Sequence, residues 1–535
     1  VLARIVEHWL TNAGELGYQT AFAQLLTSEG YRVLHAPVHH PIEHGKDIVA
    51  LAPDGQVHAF QLKGGNIGLS ELDKLQGQLF TLAGTAVTYP GIEPPRPPDR
   101  VFLITNGRLT PPARDRLRSF NDANRQRDFP IVESVESDQL VGRFVEAHGS
   151  FLPRDLDDLN ELLRLVLASG KSPFPVRDFA TMIWSIMQPA NVPRSRAEAR
   201  RALASAAILT SYAIGAWQRI ENHLGVAEGW LVLAFSTLRC AELEDLEEEE
   251  WLVSFELARD GARKALNKLL EEASDAEDLV IPHLVDGLVY SARAAVVCGY
   301  AAAYFLSELQ IRDSTEFEER TRRLLLRELE YVQATGEAGS SMLLMIATAL
   351  EVLGHHTEAA TLVLSWATGL IEANAPGNAA GAADPYHPIS EILLHSLGAE
   401  TELEQEQFSG EAYTLHIALD WFTRRDLRTV VEKLWPAVTR LHFAEFQPST
   451  PANLLAHNDP DGTHQTWAPA APASWTKLRE SALTVREEAI PARLWQQLGV
   501  LPYLPLIYPY RLTRDVAMAL DYMATGRCKV ALMEN

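Results

Sequence analysis

Residues 45–65 read GKDIVALAPDGQVHAFQLKGG, and their pattern decides the fold of the amino-terminal part of the chain. Asp47 precedes a short apolar run, IVAL, and Pro-Asp-Gly at 53–55 reverses the chain. Asp-Gly between two apolar runs is a strong hairpin signal, because glycine adopts the positive φ of such turns at no steric cost. The returning run, VHAFQLK, alternates with a period of two. Val57, Ala59, Gln61 and Lys63 therefore share one face of the strand, and His58, Phe60 and Leu62 the other. Upstream, Ile5, Trp9, Leu16, Phe22, Leu25 and Leu26 recur at roughly helical spacing over 4–29, with Gly14 and Gly17 offering a break between two helices. Gly30 ends that pattern, and Tyr31 to Leu34 reads as a short strand. Downstream come a helix from Ser70 to Leu82, a buried strand VFLIT ending in TNG, a helix from Pro111 to Asn124 and a short strand at 131–134. Helix, hairpin, helix, strand, helix is the order of a small mixed α/β domain, expected over residues 1–150.

The hairpin brings three chemically useful side chains together on rigid elements. Asp47 offers a carboxylate at the start of one strand, Gln61 a side-chain carbonyl on its neighbour, and Lys63 a cation on the same face. Hard cations such as magnesium take oxygen ligands. Phosphodiester hydrolysis needs an ion to hold phosphate oxygens and activate water, together with positive charge where the transition state gathers negative charge. The competing reading is an ordinary hairpin with polar residues on its wet face.

The segment resembles the core of the PD-(D/E)xK superfamily in its Mrr-like restriction-endonuclease branch, whose pattern is an aspartate, a hairpin, then Gln-x-Lys: here Asp47, then Gln61-Leu62-Lys63. GYQTAFAQLLTSEGYRV at 17–33 resembles that family's first helix and the Gly-Tyr that ends it. VFLITNGRLTPPARDRL at 101–117 resembles the strand and helix beside its site. The resemblance covers about residues 10–130. It implies a restriction-endonuclease-like fold and a Mg²⁺- or Mn²⁺-dependent endodeoxyribonuclease, with Asp47, Gln61 and Lys63 as catalytic residues. It further implies a role in bacterial or archaeal defence against foreign DNA, and dimers, because two strands need two sites. The family often carries a glutamate on its first helix. Gln19 occupies that position here, and Glu15, one turn earlier, is the alternative ligand, so the metal set is expected to be Asp47, Gln61 and Glu15. Thr105, Asn106, Arg108, Arg114 and Arg118 are candidate nucleic-acid contacts. The alternatives are a non-catalytic nucleic-acid-binding or scaffold protein with a decayed nuclease fold, and a metal-dependent RNase on the same scaffold.

Beyond about residue 155 helices dominate, with Ala- and Leu-rich segments at 196–217, 224–241, 251–273, 283–310, 315–334 and 340–373. LGHHTEAATLVLSWA from Leu353 resembles the second half of a tetratricopeptide hairpin, with Gly354 permitting close helix approach and Ala359 and Ala367 as small packing positions. The expectation is a large mainly α-helical region, with a helical-repeat array left open. Residues 151–374 form one helical domain in this reading, a sensor or assembly region, and 375–535 a mostly helical region of unassigned role. Residues 373–388 and 448–475 read as loops.

The 535 residues are 47% hydrophobic, which suits roughly two to four domains. The net charge is -23, but residues 1–150 hold 14 Lys+Arg against 17 Asp+Glu, so the acidity lies mainly in the remainder. A near-neutral first domain can carry a local basic patch for phosphates, whereas the acidic remainder suits protein contacts, either a homo-oligomer or a partner. Arg114, Arg116, Arg118, Arg125 and Arg127 supply local positive charge that Asp115, Asp122 and Asp128 dilute. His35, His39, His40 and His44 lie in a proline-bearing loop where nothing holds the convergent geometry a zinc site needs. The acidic run ELEDLEEEEW at 242–251 reads as a solvated helix face or turn. No GxxxxGK[ST] motor motif occurs. Cys240, Cys298 and Cys528 are too far apart for a disulfide framework or zinc spacing, and a reducing cytoplasm is expected. No membrane contact is expected: the apolar run Ala294–Leu306 is short and follows Arg293. The opening VLARIVEHW carries charge early and lacks a secretory pattern.

Overall fold

The computed structural model describes residues 2–12, 15–35, 47–88, 92, 94–148, 156–187, 195–280, 286–309, 315–375, 382–399, 411–457, 462–469 and 474–531. The loop bearing His39, His40 and His44 lies outside the described residues. The chain divides into two compact units, Val1–Ala262 and Arg263–Asn535, a coarser division than the three regions read from the sequence.

The first unit opens with α1 (Leu2–Asn12) and α2 (Glu15–Ser28), then β1 (Arg32–His35), β2 (Ile48–Leu51), β3 (Val57–Lys63), α3 (Leu69–Gly84), β4 (Arg100–Thr105), α4 (Pro111–Gln126), β5 (Val132–Val135) and α5 (Ser137–His148). The five strands form one mixed sheet in sequence order. β1, β2 and β3 run antiparallel, and β3, β4 and β5 run parallel. Gly55 takes φ +83° in the turn between β2 and β3, where the Gln56 N–H donates to Asp54 Oδ1 at 3.0 Å. Both sheet faces are covered. Ala59, Val101 and Leu103 pack under Leu72, Leu75 and Leu79 of α3 and Ala113 and Leu117 of α4. On the other face Phe60 meets Phe22 of α2 edge-on and stacks on Phe102. Strands covered on both sides read as near-continuous apolar runs, and six of the seven β3 residues are buried.

The same unit continues through α6 (Leu156–Val166), α7 (Val176–Met187), α8 (Arg196–Ala213), α9 (Gly215–Arg219), α10 (His223–Leu243) and the start of α11 (Glu248–Asp275). α8 starts at a capping box, Ser195 with Glu198, which satisfies two orphan helix-end donors reciprocally. Its alanine-rich surface lets α2 pack along it. Trp9 of α1 reaches the same helix: its indole N–H donates to the Ser211 carbonyl at 2.9 Å, and its ring centroid lies 4.3 Å from that of Tyr212. These contacts explain why the compact unit runs past residue 150.

The second unit holds the rest of α11, then α12 (Gly287–Glu308), α13 (Thr315–Glu328), α14 (Ser340–Val352), α15 (His356–Ala373), α16 (Ile389–Ser396), β6 (Glu411–Ala412), α17 (Leu415–Arg424), α18 (Arg428–Val438), β7 (His442–Pro448), β8 (Gly462–Trp467), α19 (Trp475–Ala482), β9 (Thr484–Arg486), α20 (Ala492–Gln496), α21 (Leu504–Ile507), α22 (Arg514–Thr525) and β10 (Lys529–Ala531). The chain is thus a mixed-sheet amino-terminal region followed by a large mainly α-helical region. Two readings need correcting. The 448–475 stretch is not all loop, because β8 pairs antiparallel with β7 in a three-stranded sheet with β6. Strand signals were weak there because the alternation in GTHQTW is between polar residues. Gly354 is needed for its φ of +88° just past α14, and a Cβ there would meet open space. It ends a helix and does not admit a close neighbour.

A buried ion chain ties α14, α17 and α22. Arg425 pairs with Glu351 and Asp521, Asp521 also takes Arg424, and the Arg425 guanidinium lies 3.8 Å over the Trp421 ring. The two arginines hold the Asp521 carboxyl well below its ordinary range despite burial. His223–Leu243 and Gly287–Glu308 are long and apolar enough to cross a bilayer, but 89% and 72% of their apolar windows are buried within the protein, as in core helices.

Candidate active site

β2 and β3 deliver Asp47 and Gln61 to each other. Ile48 pairs with Phe60, and the Asp47 N–H donates to the Phe60 carbonyl at 3.1 Å, so continuing the register sets Asp47 opposite Gln61. The Asp47 carboxylate then continues the ladder past the end of β2. Its Oδ2 accepts from Gln61 Nε2 at 2.5 Å and from the Leu62 N–H at 2.6 Å. An ionised carboxylate only accepts hydrogen bonds, so the Gln61 amide must turn its nitrogen to Asp47 and its oxygen away. That oxygen, Oε1, is buried and has no hydrogen-bond partner among the described residues. Gln61 is 2% exposed, so it does not sit on a wet hairpin face. Lys63, two residues on, is half-buried at the end of β3, on the Gln61 side by alternation.

The strand end that carries Lys63 is held from several elements. Tyr18 of α2, 0% exposed, donates its hydroxyl to the Lys63 carbonyl at 2.8 Å and lies 3.3 Å from the Ile104 carbonyl. Thr105 Oγ1 donates to the Gly65 carbonyl at 2.6 Å and accepts from the Gly107 N–H. Asn106 Oδ1 accepts from the Gly65 N–H at 2.6 Å, while its Nδ2 donates to the Leu10 carbonyl. A Cβ on Gly107 would lie 2.3 Å from the Gly65 carbonyl carbon, so the loops after the parallel strands β3 and β4 touch backbone to backbone. Sequence reasoning missed Tyr18, Gly65 and Gly107. The Gly-Gly after Lys63 was the one available signal, since two glycines at a strand end imply close backbone approach.

The other expected residues fall in different surroundings. Gln19 lies on α2 and is buried. Glu15 opens α2, and its side chain is outside the described residues. Thr105 and Asn106 are buried in the loop junction. Arg108 pairs with Asp138, Arg114 with Glu136, and Arg118 with Asp115. Arg116 and Arg125 also pair, with Asp73 and Asp122. The α4 arginines thus share their surface with carboxylates rather than forming an uncompensated basic stripe. His58, on the other face of β3, is buried among Tyr31, Phe60 and Phe102, with neither ring nitrogen hydrogen-bonded among the described residues. Burial, then the Arg100 guanidinium, holds its imidazole below the usual value.

Among the described residues no group of three or more His, Cys, Asp or Glu side chains is placed to hold a metal. The oxygens present are of the kind a hard divalent cation takes, one carboxylate and one buried amide carbonyl without a hydrogen-bond partner among the described residues, but the amide turns its nitrogen to the carboxylate and its oxygen away. Magnesium is commonly held by one or two carboxylates with substrate phosphates and water completing the shell. Comparison with protein-family models, with curated proteins and with solved structures finds no match to this chain.

Proposed function

We propose that the amino-terminal mixed-sheet region is a restriction-endonuclease-like domain that hydrolyses phosphodiester bonds in DNA with the help of Mg²⁺ or Mn²⁺. The observation that carries this reading is the locked Asp47–Gln61 pair, which leaves a buried carbonyl oxygen unpartnered beside the strand end bearing Lys63. Asp47 and Gln61 would hold the ion, with Glu15 as a further ligand. The ion would supply Lewis-acid polarisation and water activation. Lys63 supplies positive charge for the phosphate, and the ladder bond from Leu62 to Asp47 keeps both acidic and basic groups on one rigid hairpin. The helical remainder is assigned a sensing or assembly role, with a second copy or a protein as its partner. The α14–α15 hairpin, with Ala359 and Ala367 buried, is compatible with a repeat unit. A setting in defence against foreign DNA follows from the resemblance alone, and one in the cytoplasm from the three widely spaced cysteines.

A second reading, a decayed fold that binds without cutting, draws on the same geometry. Asp47 Oδ2 is already satisfied by protein donors, and Gln19 brings no charge. Cleavage assays on plasmid, linear and single-stranded DNA and on RNA, with Mg²⁺ or Mn²⁺, decide between them. Metal-dependent cutting of DNA that disappears in Lys63→Ala and Asp47→Asn is expected. Cutting that survives Lys63→Ala refutes the assignment, cutting confined to RNA makes the domain an RNase, and no cutting under any condition favours the decayed fold.

A further inference from the structure

Lys63 is followed by Gly64 and Gly65, the most permissive dipeptide available, at a place where catalysis demands a fixed position. Gly65 takes φ +75°, and a Cβ on it would meet nothing within 4 Å among the described residues, so on that side the loop is open. Restraint comes from three buried side chains on two segments, Tyr18 on α2 and the adjacent Thr105 and Asn106 at the end of β4. Tyr18 holds the Lys63 carbonyl at 2.8 Å, Thr105 holds the Gly65 carbonyl at 2.6 Å, and Asn106 holds the Gly65 N–H at 2.6 Å. Asn106 is itself anchored through its Nδ2 to the Leu10 carbonyl of α1 at 2.7 Å.

We infer that Tyr18, Thr105 and Asn106 form a three-point clamp that positions Lys63, an inference that rests on the nuclease reading for its catalytic consequence. All three are positioning residues. Thr105 and Asn106, candidates for phosphate contact from their place after β4, spend their polar atoms on the loop. Their burial, 0% and 6% exposed, also keeps them from a substrate backbone. The clamp joins the ends of the parallel strands β3 and β4 to both amino-terminal helices. Displacing α1 or α2 would therefore be felt at Lys63 before it was felt at Asp47, which the hairpin itself holds.

The test uses the full chain and Tyr18→Phe, which removes one hydroxyl and keeps the ring; Asn106→Ala serves as the second variant. Cleavage is measured beside the ¹³C-dimethyl-lysine NMR signal of Lys63, assigned by its loss in Lys63→Arg. We expect Tyr18→Phe to lower kcat about tenfold at unchanged KM and to shift or broaden the Lys63 signal. Wild-type kcat in both variants overturns the inference. If the wild type cuts nothing, the nuclease reading fails by itself, and the NMR signal still decides the clamp. An unmoved Lys63 signal in both Tyr18→Phe and Asn106→Ala overturns it, and a moved signal in a folded variant sustains it.

Discussion

Replacing Asp47 by alanine should unfold part of what it is meant to test. Asp47 Oδ2 is the acceptor for two donors, Gln61 Nε2 at 2.5 Å and the Leu62 N–H at 2.6 Å, on two buried residues of β3. A hydrogen bond to a charged group contributes about 1.5–3 kcal/mol, and a buried donor left without a partner costs about 1–3 kcal/mol. Asp47 is half-buried, so water recovers part of the loss, and Asp47→Ala is expected to cost about 2–4 kcal/mol. Asp47→Asn keeps an oxygen for the Leu62 N–H and lets the Gln61 amide turn, so about 1–2 kcal/mol is expected. Urea unfolding followed by far-UV circular dichroism, with chelator present to exclude any metal contribution, measures both. If Asp47→Ala lies within about 0.5 kcal/mol of wild type, a range ordinary for surface substitutions, the carboxylate is not a structural part of the ladder and the argument fails. If the cost is as large as expected, lost cleavage in the alanine variant mixes two causes, and the asparagine variant is the one that speaks to chemistry.

Gly107→Ala would place a Cβ 2.3 Å from the Gly65 carbonyl carbon. Backbone on both sides cannot yield cheaply, so a loss of about 2–3 kcal/mol is expected in thermal or urea unfolding, against near-neutrality if the loops separate easily. His58 has its imidazole held below its usual value by burial and then by Arg100. The unfolded chain binds the proton more readily, so this stability is present above about pH 6.5 and is lost as pH falls through the lower folded value. His58→Phe should flatten that acid-side slope, and an unchanged slope would show the ring is not buried neutral. Burial raises the Glu337 carboxyl to about 7 even though the Thr414 hydroxyl and the Tyr413 and Thr414 N–H groups donate to it. Its contribution is greatest below the unfolded value of about 4.5 and is lost as pH rises through about 7; Glu337→Gln should flatten unfolding curves across that window, and a persisting slope would assign it elsewhere. A fragment of residues 1–275 should be a soluble folded protein, whereas residues 1–150 should aggregate because they expose the α2 face that α8 covers and the Trp9 contacts to Ser211 and Tyr212. Cooperative unfolding of the shorter fragment would contradict this.

The sequence by itself determined the strands of the amino-terminal region and the hairpin that brings Asp47 and Gln61 together. Asp-Gly at 54–55, the period of two from Val57 to Lys63, Gly30 as a helix stop and Pro111 as a helix start act over a few residues, where backbone sterics and solvent exclusion outweigh distant context. Asp47 opposite Gln61 follows from that register alone, because the position and length of the turn fix a hairpin's pairing. Only the tertiary structure decided what surrounds those residues. That Gln61 is buried depends on α3 and α4 covering its face of the sheet, and the orientation of its amide depends on a carboxylate fourteen residues away. Tyr18 looked like one more helix residue, since nothing in its neighbours says that its hydroxyl will reach the end of β3 forty-five residues on. The extent of the first unit was equally out of reach: alanine-rich α8 is a generic helix in sequence, and only close packing against α2 joins it to the sheet region. Local patterns carry periodicity and turn chemistry, while burial, hydrogen-bond partners and unit boundaries are sums over contacts made far along the chain.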